Sequence, residues 1–286
     1  MTTARLRLRE LLSGRDLITA PGVFDGISAS LVARTGFDAA YMTGAGTAAS
    51  GWGLPDIGLV SQTEMVDRVR MITGVLGDVP LIADADTGYG APLNVVRTVR
   101  EYERAGVAAL HLEDQAFPKR CGHLPDKELV PVSDYLRTLD AALSARRDDS
   151  LVVIARTDAR GPLGIDAAIE RGIRYAGAGA DVVFVEAPRD ETEIERIARE
   201  VPGPLLINLV WGGLTPALAP RRLAELGYRI AIHPGAALAP AAEAMLRALA
   251  TLRGIDPPAE MIPANPRALF DLVGLREWEQ LGERFR

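Results

Sequence analysis

The sequence predicts an α/β fold, a (β/α)8 TIM barrel with additional C-terminal helices. Three observations carry that prediction. Eight short apolar, β-rich runs recur along the chain, at Leu17–Ala20, Ala39–Met42, Leu81–Ala83, Ala109–Leu112, Val152–Ala155, Val182–Val185, Leu205–Ile207 and Ile230–Ile232. Helical periodicity fills the segments between them, and the repeat length suits strand–helix–strand units. The rival, an open doubly wound sheet, usually carries a glycine fingerprint after its first strand, whereas PGVFDG stands here.

The strands read as continuous apolar stretches because a parallel barrel buries both faces of each one. Val95, Val96, Val99 and Tyr102 mark one intervening helix, and Ile165, Ile169 and Ile173 another. An apolar residue followed by glycine closes three helices, at Ala105-Gly106, Ala178-Gly179 and Leu226-Gly227. Glycine there accepts the left-handed backbone cheaply. The N-terminal MTTARLRLRELLSG reads as an ordinary amphipathic helix ending at Gly14. An alanine-rich helix is expected over 236–252, then a break at 254–258 and two further helices over 266–273 and 276–285. The domain reading is a catalytic barrel over 1–253 and a helical extension over 254–286. Leu269, Phe270, Leu272, Val273 and Leu275 are too apolar for a solvated tail and must dock on the barrel or on a partner subunit.

Composition narrows the function. The 286 residues are 48% apolar, enough for a sizeable core. A net charge of −6 offers no basic stripe for phosphates, so no nucleic-acid partner is expected. Nothing resembles a membrane span or a secretion signal, and a cytoplasmic protein is expected. The single cysteine, Cys121, excludes an internal disulfide.

In a barrel the active site forms at the C-terminal ends of the strands. The second run ends in Tyr41-Met42-Thr43-Gly44-Ala45, the third in Asp84-Ala85-Asp86, the fourth in Glu113, the fifth in Arg156, the sixth in Glu186 and the seventh in Asn208. Five consecutive strand ends with charged or amide side chains must be paired, metal-bound or wet, because an unpaired buried charge is costly. Asp84 and Asp86, two apart on a strand end, are expected to project to one side of the pleat, and with Glu113 they form an oxygen-only set that suits Mg2+, with Mn2+ possible. Arg156 offers bidentate geometry to a carboxylate or forms a salt bridge with Glu113 or Glu186. Cys121 lies in Lys119-Arg120-Cys121-Gly122-His123. Its cationic neighbours are expected to keep it exposed with a lowered pKa, as a proton-transfer group on a gating loop hinged at Gly122.

PGVFDGISA (21–29), MTGAG (42–46), GLPDIG (53–58), DADTGYG (84–90), HLEDQ (111–115), PKRCGH (118–123), KELVP (127–131), ARTDAR (155–160), AGAGADVVFVEA (176–187) and INLVWGGLTP (207–216) follow one another in this order. In them the chain resembles the isocitrate lyase/phosphoenolpyruvate mutase superfamily, most closely the branch of 2-methylisocitrate lyase, dimethylmalate lyase and carboxyphosphonoenolpyruvate phosphonomutase. The resemblance implies a carbon–carbon lyase that splits a small 2-hydroxy di- or tricarboxylate into a keto acid and a carboxylate. It implies Mg2+ held by Asp84, with Asp56, Asp86 and Glu113 acting through waters. Backbone N–H groups of Gly44 and Ala45 would hold a carboxylate oxygen, and Arg156, Asn208 and His123 would bind carboxylates. Tyr41 would assist removal of the hydroxyl proton, and Cys121 would protonate the aci-carboxylate. A homotetramer of dimers that exchange their C-terminal helices is also implied.

Three departures bear on the substrate. Thr43 stands where the family often has Ser. Trp211 replaces a Glu before Gly212-Gly213, and His233-Pro234-Gly235-Ala236 replaces Tyr-Pro-Leu-Ser. Carbon–phosphorus mutase chemistry and hydrolysis or decarboxylation of oxaloacetate are the alternatives, and Glu186, Thr43 and Trp211 are expected to face the substrate.

Overall fold

A computed structural model describes residues 3–257, 259–263 and 265–285. The chain runs α1 (Thr3–Ser13), β1 (Ile18–Val23), α2 (Gly26–Arg34), β2 (Ala40–Met42), α3 (Gly44–Trp52), α4 (Gln62–Leu76), β3 (Leu81–Asp84), α5 (Pro92–Ala105) and β4 (Ala109–Glu113). It continues through α6 (Val132–Ala145), β5 (Val152–Thr157), α7 (Arg160–Leu163), α8 (Ile165–Gly177), β6 (Val182–Val185), α9 (Glu191–Glu200), β7 (Leu205–Asn208), α10 (Pro220–Leu226) and β8 (Tyr228–His233). Three C-terminal helices follow, α11 (Leu238–Leu252), α12 (Pro266–Asp271) and α13 (Leu275–Glu283). Every strand pairs in parallel with its sequence neighbour, and β8 returns to β1 with Ile18 opposite Ile230, closing the barrel.

Each of the eight predicted runs is a strand. All three predicted helix-closing glycines adopt positive φ, at 97° for Gly106, 100° for Gly179 and 101° for Gly227. On α5, Val95, Thr98, Val99, Tyr102 and Ala105 are buried, the inward stripe that a period of 3.6 produces. Ile18, Ala20, Tyr41, Ile82, Ile154, Phe184, Leu206 and Ile230 pack as the barrel interior, and Leu8 of α1 joins them. Arg5 of α1 donates to the Val107 carbonyl at 2.8 Å, so α1 covers the end of the barrel opposite the catalytic face. Full burial of Leu8 contributes roughly 1.5–3 kcal/mol.

The C-terminal helices pack on their own barrel. Phe270 and Leu275 close a small cluster with Leu124, against which Ala45, Ile57 and Cys121 also pack. Glu279 of α13 accepts from Arg120 at 2.8 Å and from Arg267 at 2.5 Å. Among the described residues no helix is long and apolar enough to cross a membrane.

Candidate active site

Parallel strands deliver their last residues to one rim, and the predicted side chains meet there. A pocket at this rim is lined by Tyr41, Asp84, Cys121, Arg156, Asn208 and Trp211, among others. Asp84, Glu113, Arg156, Glu186 and Asn208 are all buried.

Arg156 organises one half of the rim. It donates to Asp158 through Nε at 2.8 Å and Nη2 at 3.1 Å, and lies 3.3 Å from both Glu113 and Glu186. The salt bridge expected with Glu113 or Glu186 is made with both, and Asp158 adds a bidentate one. Glu186 accepts from Asn208 Nδ2 at 3.0 Å, and His123 Nε2 lies 3.5 Å from its other oxygen. Arg156, Asn208 and His123, the three groups expected to bind carboxylates, therefore converge on the Glu186 carboxylate. The Leu214 N–H donates to His123 Nδ1 at 3.2 Å, which assigns the ring proton to Nε2, facing Glu186. Burial lowers the His123 pKa against the opposing pull of Glu186, so the ring is neutral at pH 7.

The other half is acidic. Asp84 Oδ2 accepts from the Gly44 N–H at 3.2 Å and Oδ1 from the Asp86 N–H at 3.0 Å. A Cβ on Gly44 would lie 2.5 Å from Asp84 Oδ2, so only glycine permits this approach. The Gly44 N–H expected to hold a substrate carboxylate is thus turned to Asp84 here. Thr43 caps α3 by accepting from Gly46 N at 3.1 Å, so its hydroxyl serves the helix; Ala45 lines the pocket. Asp86 sits at φ 47°, a left-handed conformation that Asp tolerates better than most residues, and not on the extended strand the sequence suggested.

Lys119 enters between the carboxylates. Its buried ammonium pairs with Asp56 and lies 2.7 Å from Asp86 Oδ1. Burial raises Asp86 to about 6 and pushes Glu113 well above the carboxylate range, although Lys119 and Arg156 respectively oppose it. Asp56, Asp84, Asp86 and Glu113 fit a hard divalent cation in donor type and charge, and Glu113 Oε1 is a buried oxygen with no hydrogen-bond partner. They do not form a finished cage, for no three such donors are arranged around one point among the described residues. Lys119 supplies part of the positive charge that a cation would bring.

Cys121 departs from expectation. It is half-buried beneath α12, packed beside Leu124 and Phe270, and not exposed among cations. Burial, helped by the Asp56 charge, pushes its thiol up to about 12, the reverse of the lowering that its sequence neighbours suggested. The backbone shows the loop docked: Cys121 N–H donates to the Asp56 carbonyl at 3.0 Å. Gly122 is not a hinge at positive φ. It is needed for close approach, since a Cβ there would meet Arg156 Nη2 at 2.5 Å and Glu186 Cγ at 2.7 Å.

Tyr41 Oη and His111 Nε2 share a 2.9 Å hydrogen bond, and both residues are fully buried. Burial, with Asp84 adding to it, raises the phenol well above its usual value, so Tyr41 carries its proton. Burial lowers His111 to about 4 despite Asp84, and it is neutral at pH 7. Trp211 stands at the pocket mouth, 57% exposed. Sequence reasoning gave no role to His111, Lys127 or Asp158 and treated Lys119 only as a charge beside Cys121. All four lie in the quoted motifs, but His111, Lys119 and Lys127 meet partners 70, 63 and 31 residues away.

The phosphoenolpyruvate phosphomutase family model matches residues 8–253. The chain belongs to this family. It is an enzyme of the isocitrate lyase/phosphoenolpyruvate mutase superfamily, as the order of its motifs implied. It is 48% identical to a 2,3-dimethylmalate lyase of Eubacterium barkeri, over 100% of this chain and 99% of the relative. It is 46% identical to a 2-methylisocitrate lyase of Aeropyrum pernix over 229 residues, 80% of this chain and 73% of the relative. Among solved structures, oxaloacetate acetylhydrolase bound to 3,3-difluorooxalacetate superposes with a TM-score of 0.85 at 40% identity, covering 98% of this chain and 96% of the other.

Proposed function

We propose that this family member is a Mg2+-dependent carbon–carbon lyase that splits a 2-hydroxy dicarboxylate of the 2,3-dimethylmalate type into a keto acid and a carboxylate. The observation that carries this reading is the Cys121 thiol lining a pocket that also presents Arg156, Glu186 and Asn208. The full-length relative named 2,3-dimethylmalate lyase supports the substrate type.

Asp84, Asp86, Glu113 and Asp56 would hold the Mg2+, which when bound supplies positive charge beside the 2-oxygen and its carboxylate. Arg156, with Asn208 and His123, binds carboxylate oxygens, and the Gly44–Ala45 turn lies at the N-terminus of α3, where carboxylates are favoured. Loss of the 2-hydroxyl proton starts the reaction. Tyr41 assists by moving its own proton along the 2.9 Å bond to His111 as it accepts the substrate's. The oxygen lone pair then forms the keto C=O while the C2–C3 bond breaks. The bonding pair passes into the departing carboxylate fragment as an aci-carboxylate. Cys121 gives its proton to that carbon and remains as a thiolate, which Lys119 stabilises electrostatically. A thiol with a raised pKa suits this direction, because it arrives with its proton.

Thr43 and Trp211 would shape the substrate's far end. We further propose a cytoplasmic homotetramer built from dimers that exchange the 254–286 helices, each set taking on its partner's barrel the seat it takes on its own here, with 1–253 as the catalytic barrel. Met245 and Leu249 of α11, each 57% exposed, and Phe285, 80% exposed, support a covered C-terminal surface. The test is a panel of 2-hydroxy acids assayed with Mg2+ for keto-acid release. A 2,3-dialkylmalate should be the best substrate; no keto acid from any of the panel, together with isomerisation of phosphoenolpyruvate to a phosphonate in a parallel assay, would replace this reading with mutase chemistry.

A further inference from the structure

Lys127 opens the KELVP segment and has no part in the chemistry above. Its side chain is 4% exposed, and its ammonium has two partners: the Asp158 carboxylate at 3.0 Å and the Gly122 carbonyl. Asp158 is itself fully buried and holds Arg156 through Nε and Nη2. Its Oδ1 is shared, accepting from Lys127 and from Arg156 Nη2. One ammonium therefore ties the loop that carries Cys121 to the carboxylate that orients Arg156.

The surroundings fix Lys127 in this position. Gln115 and Leu129 form an isolated antiparallel bridge at the base of the loop, and the Ala116 N–H donates to the Glu128 carbonyl at 2.8 Å, so the backbone around Lys127 is pinned. Its stem runs beside Gly161, where a Cβ would meet Lys127 Cε at 3.2 Å. Asp158 is fixed in turn from behind, since its N–H donates to Asp114 Oδ1 at 2.9 Å and Asp114 is held by Thr157, Arg171 and Tyr175. The Asp158 end is thus rigid, whereas the Gly122 end is one carbonyl on a loop. An ammonium so buried needs a partner in every conformation. Asp158 gives it one throughout, and the Gly122 carbonyl is the partner gained when the loop docks. A charge-assisted hydrogen bond gained on docking favours the docked loop.

We propose that Lys127 is a positioning residue that latches the Cys121 loop onto the Arg156–Asp158 pair, so that the thiol and the carboxylate clamp are set in register. The inference rests on the reacting site proposed above, whereas its test reads loop position without turnover.

Cys121 is the sole cysteine, so alkylation by iodoacetamide, followed by intact mass at pH 8 without substrate, reports on that thiol alone, through its exposure and its thiolate fraction. Lys127→Met should raise the rate by about tenfold or more while the protein remains folded, in line with loss of a hydrogen bond to a charged group. Lys127→Arg, which restores a cationic donor, should return it to within about threefold of wild type. If Lys127→Met does not yield folded protein by circular dichroism, Lys127→Gln, which keeps a neutral donor, is read in its place and should show an intermediate rise. A folded Lys127→Met or Lys127→Gln protein alkylated at the wild-type rate overturns the proposal. So does a Lys127→Arg protein as fast as Lys127→Met.

Discussion

Arg156 grips Asp158 through two hydrogen bonds, 2.8 Å from Nε and 3.1 Å from Nη2, two residues along the same strand end. This leaves Nη1 and the second edge of the guanidinium toward Glu113 and the pocket. Arg156→Lys keeps the charge but has no second donor in the plane, so the orientation is lost. Keto-acid release should fall by roughly 10²-fold or more in kcat/KM, measured by steady-state kinetics. A change under threefold would remove Arg156 from the carboxylate clamp.

The same pair sets a pH dependence of stability. Burial pushes Asp158 up, but Arg156 and Lys127 outweigh it and hold the carboxyl below the usual range. A lowered folded pKa stabilises above the unfolded value of about 3.9, and that stability is lost as pH falls through the folded pKa. Asp158→Asn should therefore lower Tm by several degrees at pH 7, since it breaks a buried pair. The gap between wild type and variant should shrink below about pH 4. A gap that does not change with pH would show that the charge of Asp158 is not what stabilises the fold.

Cys121→Ser replaces the proton donor with a much weaker acid. Turnover should drop by about 10²–10⁴-fold, while oxalate binding in the presence of Mg2+ is spared. In the wild-type protein the raised thiol pKa, about 12, implies slow alkylation that keeps climbing with pH and shows no plateau below about pH 10. A plateau near pH 8 would restore the low-pKa thiol that the neighbouring cations suggested.

Asp84→Ala should abolish metal-dependent activity, and EDTA should do the same to the wild-type protein. Activity untouched by EDTA would contradict the metal assignment.

Trp211 fills the place of an acceptor at the pocket mouth. Trp211→Glu should shift the ranking of 2-hydroxy acids in a substrate panel. An unchanged ranking would mean that the indole does not meet the substrate.

The barrel was legible because a parallel strand buried on both faces leaves a continuous apolar run and a helix-closing glycine leaves a single letter. Asp84, Glu113, Arg156, Glu186 and Asn208 were legible for a related reason: polar residues directly after such runs fall on one rim. What a side chain meets on that rim was not. Lys119 reads as a cation beside Cys121, yet it reaches Asp56, 63 residues away. The Cys121 environment was misjudged because its local sequence is polar, whereas its cover, Phe270 and Leu275, comes from helices about 150 residues downstream. Asp86 was placed on a strand by spacing alone, and its positive φ follows from the tight DADTGYG turn.

The most direct test incubates the purified protein with racemic 2,3-dimethylmalate and Mg2+ and follows the products by NMR. The account predicts pyruvate and propionate in equal amounts, with both formed about 10²-fold or more slowly when Cys121→Ser replaces wild type at the same concentration. Intact dimethylmalate, or pyruvate formed equally fast by Cys121→Ser, would contradict it.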